Sequence, residues 1–135
     1  MDITRVIIHA DGASRGNPGP ASIGGVIEDE RGHLLAQISR RIGITTNNQA
    51  EYRAVIAALE RAINLGAKQA EIRSDSELLV KQINGSYRVK NKTLQPLYRK
   101  VSQLIGSLES FSITHVPREQ NTRADGLANK ALDTV

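Results

Sequence analysis

Apolar and polar positions alternate along this chain in short blocks, and the blocks change period. Val6-Ile7-Ile8-His9-Ala10 reads as a buried strand, with Asp11 directly after it. Gly12 to Pro20 is rich in glycine and proline, a segment predicted neither to continue a strand nor to start a long helix. Ala21 to Glu28 and His33 to Arg41 are apolar-rich runs divided by Asp29-Glu30-Arg31-Gly32, a hairpin signal, so the first three strands are expected to form an antiparallel meander. Thr45-Thr46-Asn47-Asn48 offers helix-capping residues, and Ala50 to Leu65 has helical periodicity stopped by Gly66. Ala70 to Arg73 is a brief strand ending at Ser74-Asp75. A helix from Ser76 to Ile83 is closed by Asn84-Gly85, and another runs from Thr93 or Leu94 to Leu104, with Pro96 tolerated only in its first turn. Phe111 to Val116 gives a last strand and Thr122 to Leu132 a last helix. The order βββαβααβα with a mixed sheet is an α/β architecture.

Composition narrows the setting. The 135 residues, 39% hydrophobic and 24% charged, suit one soluble domain spanning 1–135. With no cysteine, disulfides and thiolate metal sites are excluded, and a reducing cytoplasm is the expected location. Met1-Asp2-Ile3-Thr4-Arg5 lacks the layout of a signal peptide, and no apolar run approaches the about 20 residues that span a bilayer. The net charge of +4 permits a polyanionic partner without requiring one. Nothing readable specifies an oligomer, so a monomer is the default.

Candidate chemistry rests on four carboxylates. A charge at the seam between a hydrophobic strand and a tight loop, as at Asp11, is costly unless paired. Glu51 lies in the first turns of the helix that Asn47-Asn48 would cap, Asp75 ends the fourth strand, and Asp125 lies in the first turns of the last helix. Singly, each has a plain structural reading: Asp75 as a helix cap, Glu51 and Asp125 as partners of positive helix N-termini. Converging at strand ends, they would repel one another, raising pKa values or drawing in divalent cations. Hard oxygen ligands of this kind suit Mg²⁺ or Mn²⁺.

With their flanking residues the four positions resemble the type 1 ribonuclease H family over nearly the whole chain. Asp11-Gly12-Ala13-Ser14-Arg15-Gly16-Asn17-Pro18-Gly19-Pro20 is similar to the family's first motif and Thr46-Asn47-Asn48-Gln49-Ala50-Glu51 to its second. Ser74-Asp75-Ser76 is similar to the third, and Ala124-Asp125-Gly126-Leu127-Ala128 to the fourth. The resemblance implies a ribonuclease H-like fold, a five-stranded mixed sheet flanked by helices. It implies endonucleolytic hydrolysis of the RNA strand in RNA–DNA hybrids, leaving 5′-phosphate and 3′-hydroxyl ends. Asp11, Glu51, Asp75 and Asp125 would be catalytic and would hold two Mg²⁺ or Mn²⁺ ions about 4 Å apart, with Asp11 bridging them. One ion would lower the pKa of the attacking water and the other stabilise the leaving oxygen. By motif match, the Gly12-Ala13-Ser14 backbone and the amides of Asn17, Asn48 and Gln49 would read the substrate, since 2′-hydroxyls need groups that donate and accept.

The chain also departs from the family. It has no Trp and lacks the basic protrusion of many bacterial members, although Leu78 to Leu108 holds no acid and includes Lys81, Arg88, Lys90, Lys92, Arg99 and Lys100. Phosphate binding by Lys90 and Lys92 would make affinity salt-dependent; a solvated face is the competing reading. Val116-Pro117-Arg118-Glu119-Gln120-Asn121 lacks the His that many members carry, as in archaeal-type forms. Arg118 there stays protonated and would steady phosphate charge rather than act as a base. His115 is expected on the last strand, in a core or surface role. Relaxed specificity toward double-stranded RNA follows from the missing protrusion and His. Two rivals stay open: strand-transfer or exonuclease chemistry on the same fold, and a non-catalytic hybrid- or RNA-binding module. A P-loop, a zinc motif and a nucleophile elbow are absent.

Overall fold

The computed structural model describes residues 4–133. The reading of the chain start as lacking a signal peptide falls partly on Met1 to Ile3, outside those residues. Strands β1 (Arg5–Ser14), β2 (Gly19–Asp29) and β3 (Leu34–Thr45) precede helix α1 (Asn47–Asn64). Then come β4 (Gln69–Ser74), α2 (Glu77–Ile83), α3 (Gln95–Gly106), β5 (Ser110–His115), a 3₁₀ turn (Arg118–Gln120) and α4 (Thr122–Asp133). The five-stranded sheet has the order β3-β2-β1-β4-β5. The β1–β2 and β2–β3 pairs are antiparallel, and β1–β4 and β4–β5 are parallel. This is the meander and mixed sheet expected from the sequence.

Three local expectations are corrected. The Gly12–Pro20 segment does continue a strand: Gly12, Ala13 and Ser14 pair with Ile23, Ser22 and Ala21. The ladder outweighs the weak strand propensity of these small residues, because β2 offers unbroken backbone partners. Arg15 N–H donates to the Pro20 carbonyl at 2.8 Å, confining the turn to the residues between. Asp11 is therefore inside a strand, opposite Gly24, rather than at its end. Strand β3 likewise runs on past Arg41, because a bulge absorbs Ile42 and Gly43 takes φ +85°, a conformation glycine reaches without strain. Finally, Thr46 caps α1, its hydroxyl accepting from Gln49 N–H, and Asn47 and Asn48 are the first helical residues.

The core lies between the sheet and α1. Val6, Ile8, Ala10, Ile23 and Ile72 pack with Tyr52, Val55, Ala58 and Leu59, all at most 2% exposed. Side chains alternate along a strand, so Gly12 faces the same way as Ala10, where a Cβ would overlap the backbone of Ala50 and Glu51. Asp11 and its partner Gly24 face the other way, where a Cβ on Gly24 would overlap Ala124 and Ala128 of α4. Helix α4 is pinned there by donors from the β2–β3 hairpin. Ser39 Oγ donates to the Leu127 carbonyl at 2.7 Å, and Arg41 donates to those of Ala131 and Leu132 at 3.1 and 2.9 Å. The last carbonyls of a helix have no partner within it, so the two Arg41 bonds close its C-terminal end. No helix among the described residues is long and apolar enough to cross a membrane.

Gly24→Ala is expected to destabilise the protein by about 1–3 kcal/mol, because backbone on both sides must move. Gly25→Ala, whose Cβ would meet Ile38 at an ordinary 3.5 Å, should change stability by less than about 1 kcal/mol. Thermal melts of the two variants check the contrast.

Candidate active site

The parallel pairing of β1 and β4 ends at His9 with Arg73. Continued for two residues, that register would set Asp11 opposite Asp75. The strands instead part there, and the gap opens into a cavity of about 440 Å³ that all four predicted carboxylates line. Asp11, 9% exposed, comes from β1 on the α4 side. Asp125 comes from the first turn of α4, Glu51 from α1 and Asp75 from the segment after β4. Gly12, Ala13, Ser14 and Arg118 share the lining, as do Asn47 and Asn129, which sequence reasoning did not place there.

The plain structural readings of two carboxylates do not hold. Ser76 caps α2, its hydroxyl accepting from Leu79 N–H at 3.3 Å, so Asp75 is not spent on that role. Glu51 lies beyond the first turn of α1, which holds no acid, so the helix terminus does not account for it. Its position is fixed by neighbours instead. Asn47 Nδ2 donates to Glu51 Oε1 at 2.9 Å, and the next residue, Tyr52, donates from its buried hydroxyl to Gln82 Oε1 at 2.7 Å, tying α1 to α2.

Electrostatics here favour loss of charge. Burial, then a hydrogen bond with the Asp125 carboxyl, then the charges of Asp75, Asp125 and Glu51 push the Asp11 pKa up to about 8. Burial raises Glu51 to about 7, with the Ser76 hydroxyl opposing the rise and Asp75 adding to it. Asp75 is also raised, chiefly by burial. Arg118 reaches Asp125 at 3.9 Å but is largely exposed, so it screens the cluster without neutralising it. Among the described residues no three such side chains are already gathered into a metal cage. The donor set is nonetheless all oxygen, acidic and turned into one cavity, which fits Mg²⁺ or Mn²⁺ and not a soft metal.

Residues 9–131 match a protein-family profile described as reverse transcriptase-like. The chain is 46% identical to the ribonuclease HI of Halobacterium salinarum, over 98% of this chain and 71% of that protein. The chain belongs to the type 1 ribonuclease H family. The crystal structure of the Halobacterium ribonuclease H1 superposes with a TM-score of 0.95, covering 97% of this chain and 99% of that one. LC11 ribonuclease H1, solved in complex with an RNA/DNA hybrid, is 47% identical with a TM-score of 0.90, over 95% and 96% of the two chains. The bifunctional protein Rv2228c of Mycobacterium tuberculosis is 45% identical, and this chain spans 36% of its length.

Other sequence-predicted positions of this ribonuclease H fall around the cavity rather than in it. Asn17 Oδ1 accepts from Asn47 N–H at 3.1 Å, bracing the start of α1. Asn48 is exposed and lines a shallow cleft with Glu51, Tyr52 and Leu78. Gln49 is half-buried, with its N–H in the Thr46 cap. Lys90 and Lys92 are exposed in the segment between α2 and α3, outside the cavity lining. His115 is exposed at the end of β5, paired with Ser74 next to Asp75.

A carboxyl whose pKa is raised by folding stabilises most below its unfolded value, and that contribution is lost as pH rises toward the folded value. The metal-free protein should therefore lose stability from Asp11 and Glu51 between about pH 4 and pH 8. Asp11→Asn should flatten this slope and raise Tm at pH 8 by about 5 °C. Melting curves in chelator from pH 4 to pH 8 check it; a variant that tracks the wild type throughout would count against the electrostatic account.

Proposed function

We propose that this chain hydrolyses the RNA strand of RNA–DNA hybrids internally, using Asp11, Glu51, Asp75 and Asp125 to hold two Mg²⁺ or Mn²⁺ ions and leaving 5′-phosphate and 3′-hydroxyl ends. The observation that carries the reading is the convergence of four carboxylates on one open cavity without a full counter-charge, with Asp11, Glu51 and Asp75 raised in pKa. Kinship with the ribonuclease that was solved on an RNA/DNA hybrid supports the choice of substrate.

When bound, the cations would supply an activated water and charge stabilisation at the scissile phosphate. The chain's own residues do the rest. Asp11 and Glu51 must give up their protons as cations load, so loading should improve with pH. Arg118, always protonated, stands at the rim beside Asp125, where it meets phosphate charge. The β1 edge at Gly12 to Ser14 presents backbone groups to the cavity, suited to ribose hydroxyls. Asn17 would act through Asn47, and Asn48 and Gln49 from the adjoining start of α1.

A second surface suits phosphate. An open groove of about 490 Å³ between α2 and α3 is lined by Tyr87, Arg88, Gln95, Tyr98 and Arg99, with Lys90 and Lys92 exposed on the connecting segment. Lys81 is ion-paired to Glu77 at 2.7 Å and lies 4.9 Å from the Tyr87 ring centre, so it is the least available cation of the stretch.

End-labelled hybrid, duplex RNA and duplex DNA, each with Mg²⁺ or Mn²⁺, test the reaction. Internal cuts in the hybrid's RNA strand are expected, with Asp75→Asn lowering the rate at least about 100-fold. Cuts in duplex RNA would show relaxed specificity, and no cutting despite hybrid binding would reassign the chain to the binding modules. For the groove, the Arg88→Ala/Arg99→Ala double variant should reduce the slope of log affinity against log salt by about one to two. An unchanged slope in a binding titration from about 50 to 200 mM salt would remove the groove from the interface.

A further inference from the structure

Asn121, between the 3₁₀ turn and α4, is 1% exposed. Its Nδ2 donates to the Ala10 carbonyl at 3.0 Å. Its own backbone carbonyl accepts from Asp125 N–H at 3.1 Å. One residue thus links the backbone just before Asp11 to the backbone of Asp125. The need arises from the sheet: Ala10 is the first residue of β1 past its last β4 partner, where the ladder no longer supplies a donor. Of the two amide atoms only the nitrogen can donate to a carbonyl, so the orientation of the amide is chemically determined. Its Oδ1 then faces a cavity of about 90 Å³ that His9 and Glu28 also line, with the His9 ring as its neighbouring donor. The bond to Ala10 is what Asn121 supplies and a small apolar residue would not.

We infer that Asn121 is a positioning residue: by tying Ala10 to the first turn of α4, it holds Asp11 and Asp125 together against their repulsion, ready to share a divalent cation. This rests on the proposed role of those carboxylates as cation ligands. It predicts that metal affinity and turnover depend on Asn121 while hybrid binding does not.

The test compares Asn121→Ala and Asn121→Ser with Ser22→Ala. Ser22 Oγ donates to the Ala128 carbonyl, so its loss loosens α4 one turn further along without touching the Ala10 link. Calorimetric Mn²⁺ titration of the nucleic-acid-free protein is read beside kcat, KM for the hybrid, and Tm. Both Asn121 variants should bind Mn²⁺ about 10-fold more weakly, with kcat down about 10-fold. Hybrid KM should stay within about 2-fold of wild type. Ser22→Ala should lower Tm yet keep wild-type Mn²⁺ affinity and kcat. Wild-type Mn²⁺ affinity in a folded Asn121 variant, or equal weakening by Ser22→Ala, would overturn the inference. If Asn121→Ala does not fold, Asn121→Ser decides. A wild type that binds Mn²⁺ without cleaving would sink the proposed reaction while the calorimetric comparison still judged Asn121.

Discussion

Two close approaches of helix to strand organise this molecule. Helix α1 rests on Gly12 and helix α4 on Gly24, from opposite faces of the β1–β2 ribbon, at distances no side chain would allow. The two glycines lie beside Asp11, one along the strand and one across the ladder. Glu51 is itself part of the α1 contact, and Asp125 follows Ala124 in the α4 contact, so bringing the helices down brings the carboxylates in. The sheet supplies the third approach: β4 runs parallel to β1 and parts from it at His9, leaving Asp75 across the gap.

What these approaches assemble is electrostatically unfavourable. Buried acids with like-charged neighbours favour protonation, and the fold holds them by hydrogen bonds made around the cluster. Tyr52 and Gln82 join α1 to α2, Ser39 and Arg41 fasten α4 to the hairpin, and Asn121 bridges β1 to α4. Such strain stored at a site and offset elsewhere is a pattern of functional centres. It also explains why a hard divalent cation suits the cavity better than a single arginine at its rim: the one offers several short bonds to oxygen, the other a screened charge in water.

The outer surface has a different chemistry. With Phe, Tyr and Trp together only 3% of the chain, stacking is a minor resource, whereas cations are grouped on and between α2 and α3. Tyr87 and Tyr98 sit among those cations rather than on the cavity wall. On the proposed reading such a surface would bind through phosphate charge, and the cavity would be left to discriminate sugar and to cut.

The sequence by itself determined the meander, the helix stops at Gly66 and Gly85, the place of Pro96, and the identity of the four carboxylates. Each is written locally, in period, punctuation or motif. Only the tertiary structure decided that Asp11 lies within a strand, because the antiparallel ladder to β2 carries through residues whose own propensity argues against it. It likewise chose Thr46 over Asn47 and Asn48 as the cap, a matter of one backbone angle. Gly24, Asn121 and Asn129 carried no signal along the chain. Their roles exist only where α4 meets β1 and β2, about 100 residues away in sequence, and contacts at that range leave no local pattern to read.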